Sequence, residues 1–227
     1  MKTTTSFLAF LSCFLFASIA QAASISVSPI RIDVPAPASS ASVNLRNEAA
    51  LPANIQIRIF KWVLKDGDDF YEETDDVVAT PPVASVPPGG SALVRIVRTS
   101  NGPVTGEESY RLVVDEIPDA NRIRNSGVSM ALRYVIPVFF LNGDAGQPRL
   151  VWSMRTEGGK RMLVATNSGD RSSRISNLRL DKTVLFGGLA GYVLGHSTRM
   201  WPLPAKASGG RVTADSNNGP IDAPLSR

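Results

Sequence analysis

The chain has 227 residues, a formal net charge of +4, one cysteine at Cys13 and one histidine at His196. Its basic residues are spread singly rather than gathered in a Lys/Arg run, so nucleic-acid binding is not predicted. A chain with one cysteine and one histidine also has no His/Cys cluster with which to hold zinc.

Residues 1–22 have the pattern of a secretory signal peptide. Lys2 supplies a positive start, Phe7 to Ile19 is an apolar core, and Ala20-Gln21-Ala22 is a small-residue cleavage site. The apolar run continues past Cys13, which favours cleavage after residue 22 over a lipidated cysteine. We therefore expect export to an oxidising compartment and a mature chain without disulfides. No later apolar stretch is long enough to span a bilayer, so we expect a soluble mature chain with no membrane insertion.

The first half of the mature chain consists of short alternating segments separated by turn residues. A proline at position 29 shifts the phase of the first segment and predicts an edge strand or a bulge there. About seven short strands with no helical period predict an immunoglobulin-like sandwich over residues 23–142. Apart from the stretch at residues 126–141, the segments are 24–34, 41–47, 54–64, 83–86, 93–98 and 108–117.

The segment DGDDFYEETDD, residues 66–76, is acidic and opens with an Asp-Gly turn signal. A calcium loop would need a glycine at its sixth position and a glutamate at its twelfth, and the segment has neither. We interpret it as a solvated hairpin.

The stretch SGVSMALRYVIPVFFL, residues 126–141, is the one around which the first half is organised. A side-chain period of two places alternate residues on one face of a strand. The second half of the stretch is apolar on both faces and predicts an anchor in the core. We interpret the first half as a strand lent to another protein; the alternative is an ordinary sandwich strand. The apolar ladder consists of Val128, Met130, Leu132 and Tyr134.

Residues 142–148 form a linker of turn formers, and a second, smaller all-β domain is predicted over residues 147–227. Gly187 to Gly195 is glycine-rich without the lysine of a phosphate loop, so a plain loop is expected. The tail from Ala205 is polar and is expected to be loosely held, at least in part. The predicted strands are 149–154, 161–167, 174–180 and 183–186.

The sequence does not predict an enzyme, a cofactor or a metal site. A nucleophile–histidine–acid arrangement would have to use His196, which stands between Gly195 and Ser197 and is interpreted as a surface turn residue. No serine lies in a Gly-x-Ser-x-Gly pattern.

The order and spacing of these segments resemble the periplasmic chaperones of the chaperone–usher pilus pathway, over nearly the whole mature length. The resemblance rests on a first strand with an arginine and on a segment GYVLGHSTRMWPLP that is similar to the archaic, Csu-like branch. It implies an all-β chain of two immunoglobulin-like domains in a boomerang arrangement, located in the periplasm. Its partners are then pilin subunits, which receive the lent strand, and an outer-membrane usher. The matching segments are Arg31 in the first strand, 81–98, 110–118, 128–140 and 191–204.

The resemblance also implies an anchor of two basic residues for the carboxylate at the C-terminus of the subunit. Arg31 matches the first, but the lysine expected in the lent strand falls on Pro137. Arg111 on the preceding strand, or Arg133 four residues earlier and about 13 Å away along the strand, is expected to replace it. The family's arginine after the lent strand is replaced by Leu141, which puts its interdomain pairing with Glu116 in doubt.

A pilin or adhesin subunit is the alternative interpretation, because such chains also begin with an alternating apolar segment, which residues 25–34 resemble. A whole second domain and the absence of a cysteine pair favour the chaperone.

Overall fold

The computed structural model describes residues 25–118 and 131–226, all of which lie in strands, turns or irregular segments. The all-β prediction is confirmed. No helix in these residues has the length and apolar character needed to cross a membrane. Residues 1–22, the predicted signal peptide, lie outside the described residues, as do Val128 and Met130.

Two sheets contain the strands of the first half. In one, the strand order is β1-β3-β8-β6; in the other it is β2-β10-β9-β4-β5, with β7 beside the start of β4. Their inward faces share one apolar core. The strands are β1 (Ile25–Ser28), β2 (Ile32–Pro35), β3 (Ser40–Asn47), β4 (Ala53–Lys65), β5 (Asp68–Glu72), β6 (Val77–Thr80), β7 (Val83–Val86), β8 (Ser91–Arg98), β9 (Glu107–Ile117) and β10 (Arg133–Leu141).

The first predicted strand is in fact two strands that lie in different sheets. β1 pairs with β3, and after Pro29 the chain crosses to the other sheet, where β2 runs parallel to β10. Proline has no N–H to donate to a ladder, so pairing is interrupted at that point. The expected edge strand is confirmed, since β1 and β2 each lie at the edge of a sheet; instead of a bulge, the chain switches sheets between them, which brings Arg31 next to β10.

The second half also contains two sheets around an apolar core of its own. A three-stranded sheet has the order β11-β12-β16, and a second has the order β14-β13-β17-β18 with β15 also on β13. The strands are β11 (Leu150–Glu157), β12 (Lys160–Asn167), β13 (Ser173–Leu180), β14 (Thr183–Val184), β15 (Leu189–Val193), β16 (Ser197–Pro202), β17 (Arg211–Ser216) and β18 (Gly219–Pro224).

Two predictions about this half are wrong. The segment expected to be a plain loop contains β15, and the tail expected to be loosely held forms the hairpin of β17 and β18. Val212 of the tail is fully buried, and β17 pairs with β13 in the middle of its sheet. The hairpin is ordered because alternate side chains are buried, although its residues are polar on average.

The two halves meet at a small cluster of buried side chains. Trp62 of β4 and Phe139 of β10 come from the first half, and Tyr192 and Leu194 come from the second. The ring centroids of Trp62 and Tyr192 are 5.2 Å apart in an edge-to-face arrangement. We call these four residues the interdomain cluster.

Candidate functional site

Strand β10 has one edge that is only partly paired. On one side it pairs with β9 along its whole length, from Arg133 to Leu141. On the other side β2 covers only Val138 to Leu141. Within the described ranges 25–118 and 131–226, no strand pairs with that second edge between residues 133 and 137. Unpaired backbone N–H and C=O groups of this kind are a template for another strand.

The side chains of β10 alternate as the sequence predicts. Ile136, Val138 and Phe140 are buried in the core of the first sandwich. Leu132, just before the strand, and Tyr134 lie on the same face and are half-buried. The Tyr134 ring packs against the core and its hydroxyl donates to the carbonyl of Ile25. The ladder thus continues from the open end of the sandwich directly into its core.

Arg31 and Arg111 are brought together on the opposite face of the same sheet. Arg111 is the register partner of Pro137 across β9 and β10, and Ile32 is the partner of Val138 across β2 and β10. Pro137 and Arg111 therefore lie side by side on β10 and β9, and Arg31 immediately precedes β2 on the other side of β10. The two guanidinium carbons lie 6.0 and 5.5 Å from the centroid of the Tyr192 ring.

The guanidinium of Arg111 is buried and makes no hydrogen bond or ion pair with a carboxylate among the described residues, and Asp69 acts on its charge only through space. The residue is 9% exposed, and its Nε has no hydrogen-bond partner. Its guanidinium carbon lies 3.5 Å from the ring centroid of Trp62, which is a close cation–π contact. Burial lowers the pKa of Arg111 because it penalises the charged form. A buried cation without a counter-ion is a favourable place for a carboxylate.

Arg31 already has a carboxylate partner. Its Nε and Nη2 donate to the two oxygens of Asp33 at 2.8 and 2.9 Å. Its guanidinium carbon also lies 4.7 Å from the ring centroid of Phe139. Burial opposes ionisation of Arg31, but the Asp33 carboxylate outweighs it and raises the pKa of Arg31. Arg31 therefore offers an incoming anion only the part of its guanidinium that Asp33 leaves unused.

Arg133 is engaged elsewhere. It lies opposite Asp115 in the register of β9 and β10, and its Nε donates to that carboxylate. Arg58 of β4 donates to the other oxygen of Asp115 at 2.6 Å. The side chain of Arg133 is 63% exposed, whereas that of Asp115 is 14% exposed. The structure does not bring Arg133 together with Arg31 and Arg111; it places Arg133 where it fixes the start of β10 on β9.

The interdomain pairing of Glu116, which Leu141 put in doubt, is not seen among the described residues, and Glu107 contacts the second half instead. Leu141 lies opposite Glu107, whereas Glu116 lies at the other end of β9, where its N–H donates to the Leu132 carbonyl. The carboxylate of Glu107 accepts the backbone N–H of Ser172, which belongs to the second half. Burial raises the pKa of Glu107, because the carboxylate loses water there.

Four further residues of this region were not singled out as site residues from the sequence, namely Trp62, Asp69, Tyr192 and Arg199. Asp69, in the segment interpreted as a solvated hairpin, accepts hydrogen bonds from the Trp62 indole and from Arg199 of the second half, each at 2.8 Å. The turn itself is as predicted, with positive φ angles of 51° at Asp66 and 84° at Gly67. Nothing in the spacing of the sequence indicates that β5 and β16 come together.

The described ranges hold no group of His, Cys, Asp and Glu side chains suited to a metal ion. His196 lies in a turn with a φ of 52°, and its ring pairs with Asp170 at 2.8 Å. What the site offers is an open strand edge, an apolar ladder and a buried cation nearby. This combination suits an extended polypeptide that ends in a carboxylate.

Comparison with known proteins places these features in a family. Residues 24–141 match the model described as pili and flagellar-assembly chaperone, PapD N-terminal domain. A search of curated proteins found no match.

Solved structures of chaperones resemble the whole described chain. The CsuC–CsuE chaperone–tip adhesion subunit pre-assembly complex from archaic chaperone–usher Csu pili of Acinetobacter baumannii contains a chain that is 28% identical, over 88% of this chain and 96% of that one, with a TM-score of 0.75. The E. coli chaperone DraB is 20% identical, over 89% and 97%, with a TM-score of 0.64. A chain from the Salmonella enterica SafA pilin–SafB chaperone complex is 16% identical, over 90% and 98%, with a TM-score of 0.67.

The last two likenesses establish the fold, and the first supports the resemblance to the archaic branch. The family model covers more than half of the sequence. The chain therefore belongs to the PapD-type chaperones of pilus assembly, which have two immunoglobulin-like domains.

Proposed function

We propose that this chaperone binds a pilin subunit by donor-strand complementation, helps it to fold and delivers it to an outer-membrane usher. The observation that carries the proposal is the open edge of β10, which lies in the same sheet as Arg111, a buried cation that makes no ion pair with the residues the structure describes. The chains of similar fold that were solved with a pilin or a tip subunit support the choice of partner. The alternative, a pilin or adhesin subunit, is not favoured.

The donor face is assigned to Val128, Met130, Leu132 and Tyr134, of which the first two lie outside the described residues. A sandwich that lacks a strand exposes an apolar groove and unpaired edges, which aggregate readily. The open edge of β10 would supply the missing backbone hydrogen bonds and the ladder would fill the groove. Each large apolar side chain buried in this way contributes about 1.5–3 kcal/mol.

The carboxylate at the end of the subunit is assigned to Arg111, with Arg31 beside it. A carboxylate that enters a cleft loses its hydration, and a fixed cation in the same place compensates for the loss. Arg111 is already desolvated and makes no ion pair with the described residues, so it has the most to gain. Arg133, the third candidate from the sequence, is assigned to register rather than to the anchor, because Asp115 occupies it.

The site of action is assigned to the periplasm, after cleavage of residues 1–22. The family is one of periplasmic chaperones, and the sequence pattern of the N-terminus supports export. Intact-mass measurement of the protein from a periplasmic extract should give a chain that starts near Ala23. A retained Cys13 or a lipid adduct would contradict this.

The domain limits, residues 23–142 and 147–227, belong to the same proposal.

Co-expression in the periplasm with candidate pilin subunits tests the function. Purification of the tagged chaperone should recover the pilin in a stable one-to-one complex, and the pilin should aggregate or be degraded without it. Arg31→Ala should reduce recovery, and Arg133→Ala should change it by no more than a surface substitution, about 0.5 kcal/mol. Normal pilin levels in the absence of the chaperone would contradict the function.

A further inference from the structure

The segment GYVLGHSTRMWPLP of the second half is not explained by the donor strand or by the two arginines alone. Two of its residues point into the region of the anchor. Tyr192, at 6% exposed, lies in the interdomain cluster, and Arg199 lies in β16 next to β5 of the first half.

Arg199 is joined to Trp62 through one carboxylate. Its Nη1 and Nη2 donate to the two oxygens of Asp69 at 2.8 and 3.1 Å. Asp69 also accepts the indole N–H of Trp62 at 2.8 Å. Arg199 further donates to the backbone carbonyl of Tyr192 at 3.3 Å, so the same guanidinium holds both halves of the cluster.

Close backbone approaches fix Arg199 in this position. A Cβ atom at Gly191 would come within 2.6 Å of the guanidinium carbon of Arg199, and Gly191 has a φ of +124°. A Cβ atom at Gly67 would come within 2.7 Å of the Cβ of Met200. The positive φ favours glycine at position 191, a side chain there would displace the Arg199 guanidinium, and the guanidinium therefore lies directly against the backbone of β15.

The face and the edge of the Trp62 ring are therefore both occupied. Arg111 lies over the face at 3.5 Å, and Asp69 holds the edge. The ring of Tyr192 packs beside Trp62 in an edge-to-face arrangement, and its centroid lies 5.5 Å from the guanidinium carbon of Arg111 and 6.0 Å from that of Arg31. The position of Arg111 consequently depends on residues that belong to the second half.

We propose that Asp69, Arg199 and Tyr192 are positioning residues that let the second domain set the anchor for the subunit carboxylate. None of the three is required to touch the carboxylate. The inference rests on the proposed function, because it assumes that Arg111 receives the carboxylate. It adds that the anchor is complete only while the two domains are packed together, so carboxylate binding and domain packing stabilise each other.

The test compares two peptides with the sequence of the C-terminal strand of the co-expressed pilin, one ending in a free carboxylate and one in an amide. Calorimetry gives the affinity of each peptide for the wild-type chaperone and for Asp69→Ala, Arg199→Gln and Tyr192→Leu. The wild type should prefer the free acid by about 30-fold or more, the lower end of the effect of unpairing a buried charge. The three variants should lose most of that preference while their affinity for the amide changes little.

Arg211→Gln is the matched control, since it removes an arginine from an exposed pair with Asp222 in the second half. It should keep the wild-type preference. Arg199→Lys should keep part of it, because it retains a charge for Asp69. If the wild type itself shows no preference, the anchor of the proposed function is wrong. If the wild type prefers the acid and both Asp69→Ala and Arg199→Gln keep that preference, the anchor stands and the positioning role is refuted. A variant that fails to fold is recognised by its near-ultraviolet circular dichroism, and the other variant then decides.

Discussion

Replacing Arg111 with methionine should weaken subunit binding and stabilise the free chaperone at the same time. Methionine keeps an unbranched side chain of similar length against Trp62 but has no charge. In the free protein Arg111 is 9% exposed and makes no ion pair with the described residues, so its charge costs folding free energy. In the complex the same charge is the proposed partner of the carboxylate. Function and stability therefore oppose each other at this residue.

The two magnitudes follow from the contacts of Arg111. Losing one member of a buried charged pair costs about 2–5 kcal/mol of binding, or roughly 30-fold to several-thousand-fold in affinity. In the free chaperone the substitution removes the cost of burying an unpaired cation, which is several kcal/mol. It also forfeits a cation–π contact worth about 0.5–2 kcal/mol. A net gain of at least about 1 kcal/mol corresponds to a Tm higher by about 2–4 °C for a protein of this size.

The assay measures pilin recovery from periplasmic co-expression together with the thermal unfolding of the purified chaperone. Lys65→Met is the matched control, because Lys65 also lies over an aromatic ring, that of Phe70 at 4.2 Å, but its side chain is 52% exposed and that of its partner Glu72 is 37% exposed. It should change binding and stability by no more than about 0.5 kcal/mol. Unchanged recovery with Arg111→Met, or a Tm that falls, would refute the reasoning that this cation is buried for a carboxylate.

Three further outcomes are expected. Leu132→Arg should abolish pilin recovery with little effect on folding, because an unpaired charge would enter the subunit groove at a cost of several kcal/mol. The same change at Leu93, which is 64% exposed on the other sheet, should be tolerated. Glu107→Gln should raise the free energy of unfolding at pH 7, because burial raises the pKa of Glu107 and the folded state therefore favours the protonated carboxyl. The difference in unfolding free energy from wild type should shrink towards pH 4. A difference that grows on acidification would contradict this pH dependence. Truncation after Pro204 should unfold the second domain, as judged by amide hydrogen exchange, because β17 lies in the middle of its sheet; protection of β13 in the truncated protein would argue against it.

A strand was predictable from the sequence where the alternation of apolar and polar residues within that strand was enough to identify it. The strands at 41–47, 54–64, 93–98 and 108–117 were predicted within a few residues, since the period of two is local. The turn at Asp66 was predicted from its Asp-Gly pair, which is also a local signal. The sheet switch at Pro29 was missed because it depends on pairing with β10, far later in the chain, and β15 was missed because its glycine-rich segment has no clear alternation of its own. The count of about seven strands was too low: the described part of the first half contains ten.

The candidate site divides in the same way. The sequence by itself determined an all-β chain without disulfides, an alternating ladder that ends in a core strand, and a family likeness that carried Arg31 and left Arg111 and Arg133 as alternatives. All of this resides in residue type and order along the chain.

Only the tertiary structure gives the different surroundings of the two alternatives, Arg111 and Arg133. Pairing of β2, β10 and β9 places Arg111 beside Pro137 and Arg31 on the other side of β10, and pairing of β9 with β10 gives Arg133 to Asp115. Packing of the second half against the first adds Tyr192 and Arg199 to the surroundings of Arg111. The physical reason is that the role of an arginine depends on its burial and on which carboxylates lie within reach, and both are set by strand register and domain packing rather than by position in the chain.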